Sequence, residues 1–444
     1  MEREQRSIES SSTWWKRAQA VIPGGTQVIS KRADRWLPGV YPVYAARGQG
    51  SHLWDVDGNE YIDYILALGP ITLGYCYEPV DAAVREQLRK GTIFGLNSPL
   101  EVELAEKLVE VVPCAEMVRF TKTGSDAVAM AVRLARAYTG REKVAFCGYH
   151  GWHDWYVAHS LPDEHGVAGA PFMRVNMDAR GVPARLRELA VPFPYGDHSA
   201  LESVLRAGDV ACIVMEATRH LVPPPGYLAG VRVLADRYGA VLVFDEIVTG
   251  FRLALGGAQA YFGVTPDLAT FAKGMANGYP LACVAGKREI MNLAASLFIS
   301  TTYGGECLSL AAGLATINEL QQAPVHDHMF EVGQRLQREM NALAQEYGVL
   351  AHMEGLPVMV YLDFEDETPA LSRQLSQLFM QEMVTRGILW GGAYLCYSHS
   401  DDDINQTLEA ARAAFAVVRR GLEDGDPARY IHGPERAAGF HRMV

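Results

Sequence analysis

The sequence predicts an α/β protein: a mostly parallel central sheet with helices on both faces, and a smaller α+β domain built from both chain ends. Three observations lead there. Short apolar runs bounded by turn residues recur at 210–215, 241–244 and 281–285. Helical-period segments alternate with them, which is the rhythm of βαβ units. After about residue 320 the pattern changes to long helices around a few strand-like pieces such as 358–362.

Taken in order, residues 48–64 read as a hairpin, with alternating strand-like residues either side of Asp57-Gly58. Leu104, Leu108 and Val111 recur at helical spacing, and Pro113 stops that helix. A helix over 231–238 ends at Gly239. Ser400 followed by three aspartates opens a helix through 410–418, because a hydroxyl cap and first-turn acids suit its positive end. The tail from Asp424, with two prolines and three glycines, reads as extended. The division expected is 1–64 as the N-terminal part of the small domain, 65–320 as the large domain, and 321–444 as the C-terminal part of the small one.

Composition narrows the partners. The 444 residues are 49% hydrophobic and 21% charged, ordinary for a folded enzyme and wrong for a disordered chain. A net charge of −12 repels phosphate backbones and anionic lipid, so neither nucleic acid nor a membrane surface is an expected partner. A polycationic small molecule would be attracted instead. No apolar stretch reaches the roughly 18 residues a membrane span needs. The polar start lacks the apolar core of a signal peptide, and seven scattered cysteines without CxxC pairs read as reduced thiols. Together these features predict a cytoplasmic protein.

In an open parallel sheet, ligands sit at the carboxyl ends of the strands. Asp245 directly follows the apolar run 241–244, where a lone aspartate is more often a plain turn carboxylate. Lys273 lies in the nearly uncharged stretch Ala-Thr-Phe-Ala-Lys-Gly-Met-Ala. Most lysines are solvated surface groups, but one in an apolar setting beside a glycine can become nucleophilic. A carboxylate and such a lysine near a helix-bound phosphate are what pyridoxal phosphate (PLP) chemistry requires. Thr123-Gly124-Ser125-Asp126 leads into a helix and can cradle that phosphate, although it serves equally well as a plain N-cap. The loop Cys147 to Trp155 holds two histidines and three aromatics. His150 and His153 are badly spaced for zinc and Cys147 has no partner cysteine, so no metal is expected; an aromatic lid over a flat ring is the better reading.

In this order the pieces resemble the class III (subgroup II) aminotransferases of PLP-dependent fold type I, in the branch of glutamate-1-semialdehyde aminomutase. The resemblance spans nearly the whole chain. It is carried by Trp54-Asp55-Val56-Asp57-Gly58-Asn59, by Arg133 to Gly140, by Tyr149-His150-Gly151, by Phe244-Asp245-Glu246, by Thr249-Gly250-Phe251-Arg252, by Tyr261 to Asp267, and by Lys273-Gly274. It implies that residues 65–320 bind PLP. Lys273 would form the Schiff base with the cofactor and shuttle the proton, while Asp245 would hold the pyridine nitrogen protonated. Gly124 and Ser125 match the phosphate cradle, Tyr149 the aromatic stacked on the ring, and Glu216 a glutamate near the cofactor. Thr302 matches a threonine reaching the phosphate of the neighbouring subunit, which implies a homodimer with shared active sites.

The departures concern substrate. Aminomutases carry an arginine after Pro-Gly-Gly that receives the substrate carboxylate, and an ungapped reading puts Lys31 there, with Arg32 as a substitute after a small shift. Lysine lacks the bidentate fork. The stretches 152–156 and 302–306 are instead similar to the branch that aminates sugars, including aminotransferases of aminoglycoside antibiotic biosynthesis of the gentamicin and neomycin type. Trp152, Trp155 and Trp390 offer faces suited to sugar C–H surfaces, and each is equally explained by core packing. The expectation is transfer of an amino group from a donor such as L-glutamate to an oxidised sugar aldehyde or ketone. A 2,1-aminomutase, an amino-sugar epimerase or dehydratase, and a PLP-binding protein without catalysis are the alternatives.

Overall fold

A computed structural model describes residues 6–162, 177–218, 222–365, 368–434 and 436. The chain divides into two compact units. One comprises the described residues of Met1–Leu68, Leu73–Tyr77 and Asp327–Phe440, and the other those of Gly69–Thr72 and Glu78–His326.

The larger unit is built on a seven-stranded sheet. Its spatial order is Met117–Thr121, Ala282–Gly286, Leu268–Phe271, Val241–Asp245, Val210–Met215, Lys143–Cys147 and Ala190–Pro192. Val144, Cys212, Val214, Val241 and Val243 face a core shared with the helix Gly124–Thr139. Ala145, Ile213 and Leu242, on the opposite face, are equally buried. With both faces covered, every side chain of such a strand must be apolar, which is why these strands read as continuous apolar runs.

The sheet is mostly parallel, as expected, but the run at 281–285 does not join it in parallel. The strand Ala282–Gly286 pairs antiparallel with both of its neighbours. The link from Leu268–Phe271 contains only the 3-10 turn Lys273–Ala276, too short for the crossover a parallel return needs.

In the smaller unit, His52–Asp55 and Glu60–Asp63 form the hairpin expected over 48–64, and Ala45–Gln49 pairs antiparallel with His52–Asp55 to extend it to a three-stranded meander. Asp55 Oδ1 accepts the N–H groups of Asp57 and Asn59 at 2.9 and 2.8 Å, and Gly58 takes φ +88° in the turn. A second sheet joins Ala351–Leu356, Met359–Phe364 and Ala393–Tyr394. The helix Asp401–Glu423 starts with a reciprocal cap: Asp403 N–H donates to Ser400 Oγ, and Ser400 N–H donates to Asp403 Oδ2. The tail departs from an extended course. Pro427–Tyr430 forms a 3-10 turn, and Gln381 and Gln377 donate to the carbonyls of Tyr430 and Pro434. Side-chain amides satisfy the backbone there, which composition could not show. Residues 437–444 lie outside the described residues. No helix among the described residues is long and apolar enough to cross a membrane.

Candidate active site

The candidate site lies at the carboxyl edge of the large sheet. Asp245 ends its strand and pairs in register with Thr270 of the next one, three residues before Lys273. Glu246 N–H donates to the Thr270 carbonyl at 2.9 Å, which locks the two strand ends together. The turn that follows Asp245 is held from within. Glu246, fully buried, accepts from the Thr249 hydroxyl and from the N–H groups of Ala258 and Gln259. Burial pushes its carboxyl up, and those donors oppose the shift.

Asp245 is 3% exposed. Its Oδ1 accepts Ile247 N–H at 3.1 Å, and its Oδ2 lies 2.8 Å from His150 Nδ1. His150 is buried, and its Nε2 lies 2.9 Å from the carbonyl of Cys147. A carbonyl only accepts, so Nε2 carries a hydrogen and the Nδ1–Oδ2 contact shares one more. His150 therefore does not belong to an aromatic lid; it backs the carboxylate. The tertiary pairing of residues 95 apart carries no local sequence signal.

The cradle residues meet the same turn. Thr123 Oγ1 accepts Asp126 N–H at 3.2 Å and opens the helix Gly124–Thr139. A Cβ on Gly124 would lie 2.5 Å from Ile247 Cδ1, so the cradle is pressed onto the residue bonded to Asp245. A Cβ on Gly151, at φ +95°, would lie 2.3 Å from Ser125 Oγ, which brings the 148–151 loop over the helix start. Tyr149, half-buried, donates its N–H to Glu216 Oε2 at 3.1 Å and meets Tyr156 edge-on. Burial, with Glu216 beside it, pushes the Cys147 thiol up and disfavours its thiolate.

Lys273 is half-buried at φ +46°, a left-handed conformation rare for a residue with a side chain. Gly124, Ser125, Tyr149, Glu216, Asp245 and Lys273 thus gather on one sheet edge. These groups fit a phosphorylated pyridine: bare backbone at a helix N-terminus for the phosphate, an aromatic beside it, a buried carboxylate and a strand-end amine. Among the described residues no group of three or more His, Cys, Asp or Glu is arranged to hold a metal ion.

The other predicted residues are placed as follows. Thr302 sits on an exposed turn of the larger unit. Trp152, 72% exposed, stands edge-on to His153, which pairs with Asp126 at 3.3 Å. Lys31, Arg32 and Trp390 belong to the smaller unit. Lys31 is exposed, and Arg32 is engaged by Asp34 through two bonds of 3.1 and 2.6 Å. Trp390 is 3% exposed and packs against Phe379 and Tyr64, so its ring is core rather than a sugar platform.

Comparison with known proteins agrees with this chemistry. The family profile Aminotransferase class-III matches residues 37–406. The 3-aminobutyryl-CoA aminotransferase of Cloacimonas acidaminovorans is 38% identical, over 94% of this chain and all of that one. The glutamate-1-semialdehyde 2,1-aminomutase of Desulforamulus reducens is 37% identical over 93% and 99%. Among solved structures, the FumI protein of Sphingopyxis sp. MTA144, in its PLP internal aldimine form, superposes with a TM-score of 0.85. It is 28% identical and covers 95% of this chain and 99% of that one. The chain belongs to the class III aminotransferases, and it is a PLP-dependent aminotransferase of the type I fold.

Proposed function

We propose that Lys273 is the catalytic lysine and Asp245 the partner of the pyridine nitrogen, in a transamination from an amine donor such as L-glutamate to an aldehyde or ketone. Bound PLP supplies the electron sink for that exchange. The chain's own residues do the rest. Gly124 and Ser125 receive the phosphate at the start of their helix, Tyr149 flanks the ring, and Glu216 holds the Tyr149 backbone in place. Asp245, backed by His150, keeps a proton at the pyridine nitrogen. The Lys273 amine moves the proton at the substrate carbon. The observation carrying this reading is the in-register pairing of the two strand ends, with the Gly124 cradle pressed on the same turn. Borohydride reduction of the holoenzyme followed by peptide mapping tests it. The adduct is expected on Lys273, and an adduct on another lysine refutes the assignment.

For the acceptor, the reading is a carbonyl carbon on a molecule without a free carboxylate to be clamped, led by an oxidised amino sugar or aminoglycoside. An ungapped reading of the sequence puts Lys31 where the resemblance expects an arginine, and the Arg32 guanidinium is engaged by Asp34. Trp152 offers an exposed indole beside the site loop. The 38% identity to a 3-aminobutyryl-CoA aminotransferase favours a second reading, a 3-oxoacyl thioester, whose carboxyl group is likewise masked. Chromatographic separation with mass identification of the products, after incubation with glutamate and each of an amino-sugar aldehyde, a 3-oxoacyl thioester and glutamate-1-semialdehyde, decides. The aminomutase product is an isomer of the semialdehyde and is told from it by retention rather than mass. Turnover of the semialdehyde alone would restore the aminomutase.

A homodimer completes the reading. Phe94, Leu96, Phe298 and Tyr303 are exposed, on two segments tied by Cys307 N–H to the Thr92 carbonyl at 2.7 Å. A second copy would cover them and meet Thr302. Seven free thiols, six of them buried, are in keeping with a cytoplasmic setting.

A further inference from the structure

Lys273 has a backbone that its own side chain disfavours, so something outside it must hold φ at +46°. Ala272 before it is extended, and the 3-10 turn Lys273–Ala276 ends at Asn277, itself left-handed at φ +43°. If Lys273 relaxed toward negative φ, its Cα–Cβ direction would swing and carry the amine away from the Asp245 strand end.

The restraint comes from the segment Gly69–Thr72 of the same unit. Thr72 is fully buried, and its Oγ1 would lie 2.7 Å from a Cβ on Gly274, the residue directly after the lysine. Thr72 is held in turn from two sides. Its N–H donates to Asn277 Oδ1 at 3.0 Å, so the residue that ends the lysine turn also grips the threonine. Arg252, 0% exposed, donates through one terminal nitrogen to the carbonyls of Gly69 at 2.8 Å and Ile71 at 3.3 Å, and reaches Thr72 Oγ1 at 3.5 Å. The arginine follows Phe251, at φ +63°, whose ring packs on Phe271 two residues before Lys273. Three chain segments thus close around one turn, and each fixes the next.

We propose that Thr72, clamped by Arg252 and Asn277, is a positioning residue for Lys273: it holds the lysine in the left-handed backbone that aims its amine at the cofactor aldehyde. The assignment rests on Lys273 being the cofactor lysine. It concerns only the covalent part of cofactor binding, because the phosphate cradle lies on the separate helix Gly124–Thr139.

That separation supplies the test. PLP and pyridoxamine phosphate share phosphate and ring, but only PLP bonds to the lysine. Dissociation constants for both are measured on apo wild type, Thr72→Val, Thr72→Ser and Asn277→Gly, with the pH titration of the visible PLP band. In Thr72→Val a methyl replaces the hydroxyl against Gly274, and PLP is expected to bind about ten- to a hundredfold more weakly. The pH midpoint of its band should move, while pyridoxamine phosphate affinity changes by less than about twofold. Thr72→Ser should restore the wild-type values. Asn277→Gly keeps the left-handed backbone but removes the acceptor, and should shift PLP alone; it decides the matter if Thr72→Val does not fold. Parallel weakening of both ligands, or wild-type PLP binding in the folded variants, overturns the proposal. Failure of the underlying assignment looks different, since borohydride would then label another lysine in the wild type.

Discussion

Replacing Gly124 by alanine tests whether the phosphate cradle and the Asp245 turn are one mechanical unit. The added Cβ would lie 2.5 Å from Ile247 Cδ1, 3.1 Å from Cγ1 and 3.2 Å from Cγ2. Ordinary carbon contacts lie near 3.5–4.0 Å, so Cδ1 must retreat by about 1 Å. Rotating the tip of the isoleucine does not suffice, because two further carbons of the same side chain are also too close. Moving Ile247 as a whole drags its N–H, which is bonded to Asp245 Oδ1 at 3.1 Å. Overpacking of this kind costs about 1–3 kcal/mol. The empty protein can let the helix start step back, whereas the holoenzyme needs cradle and turn together, so the cost falls on cofactor binding. At 1.4 kcal/mol per factor of ten, PLP affinity should drop about 5- to 150-fold. Fluorescence titration of the apoprotein measures it. Ile247→Val removes Cδ1, the nearest atom, but keeps both Cγ carbons at 3.1 and 3.2 Å, so the double variant Gly124→Ala/Ile247→Val should recover part of the loss. Wild-type affinity in Gly124→Ala, or no recovery in the double variant, would refute the coupling.

His150→Phe keeps a ring against Phe146 and Trp155 but loses both bonds, to Asp245 and to the Cys147 carbonyl. Losing a hydrogen bond to a buried carboxylate costs about 1.5–3 kcal/mol, so single-turnover rates should fall about 10- to 150-fold while PLP remains bound through its phosphate. Stability of the smaller unit should depend on pH through His52, which lies 2.9 Å from both Asp403 and Glu60. The hydrogen bond to Asp403 leads in raising the His52 value above its ordinary range, and burial opposes it. A raised folded-state value gives stabilisation that is complete below about pH 6.5 and fades as pH rises through the folded value. Burial works against Asp403, but His52, the Ser400 backbone and Ser51 outweigh it and hold the carboxyl below its usual range. Its contribution is present above about pH 4 and is lost in stronger acid. Melting temperature should therefore be higher at pH 6 than at pH 8.5, and His52→Gln should shrink that difference.

How far the chain could be read without coordinates depended on whether a feature was local. The strands 210–215 and 241–244 were legible because a strand buried on both faces leaves an unbroken apolar run. The direction of Ala282–Gly286 was not, since burial on two faces looks the same in a parallel and an antiparallel strand. The cap at Ser400 was legible because its partners are three residues apart. The three left-handed residues Leu66, Ala67 and Leu68, at φ +46°, +54° and +72°, were invisible because none is a residue type that signals positive φ. Asp63 Oδ1 helps to hold that turn by accepting the N–H groups of Ile65 and Leu66.

The same division runs through the candidate site. Asp245, Gly124 and Ser125 could be singled out because each follows from its neighbours: a carboxylate after an apolar run, and a glycine and hydroxyl at a helix start. What surrounds them could not. Arg252 reads as one charged residue in Thr249-Gly250-Phe251-Arg252, and charged side chains are expected at the surface. In the fold it is wholly buried, with the carbonyls of Gly69 and Ile71 as acceptors. Those acceptors lie in a short segment of little sequence character, so nothing near residue 252 announces the burial. His150 is hidden in the same way, since Asp245 is its partner only after the sheet has formed. Chemistry-bearing side chains can be picked from local pattern, but the groups that orient them arrive from other strands and turns. Mutations at Thr72 and Asn277, which local reading passes over, and at His150, whose partner it could not supply, should therefore alter how the site works without removing any group that touches the cofactor.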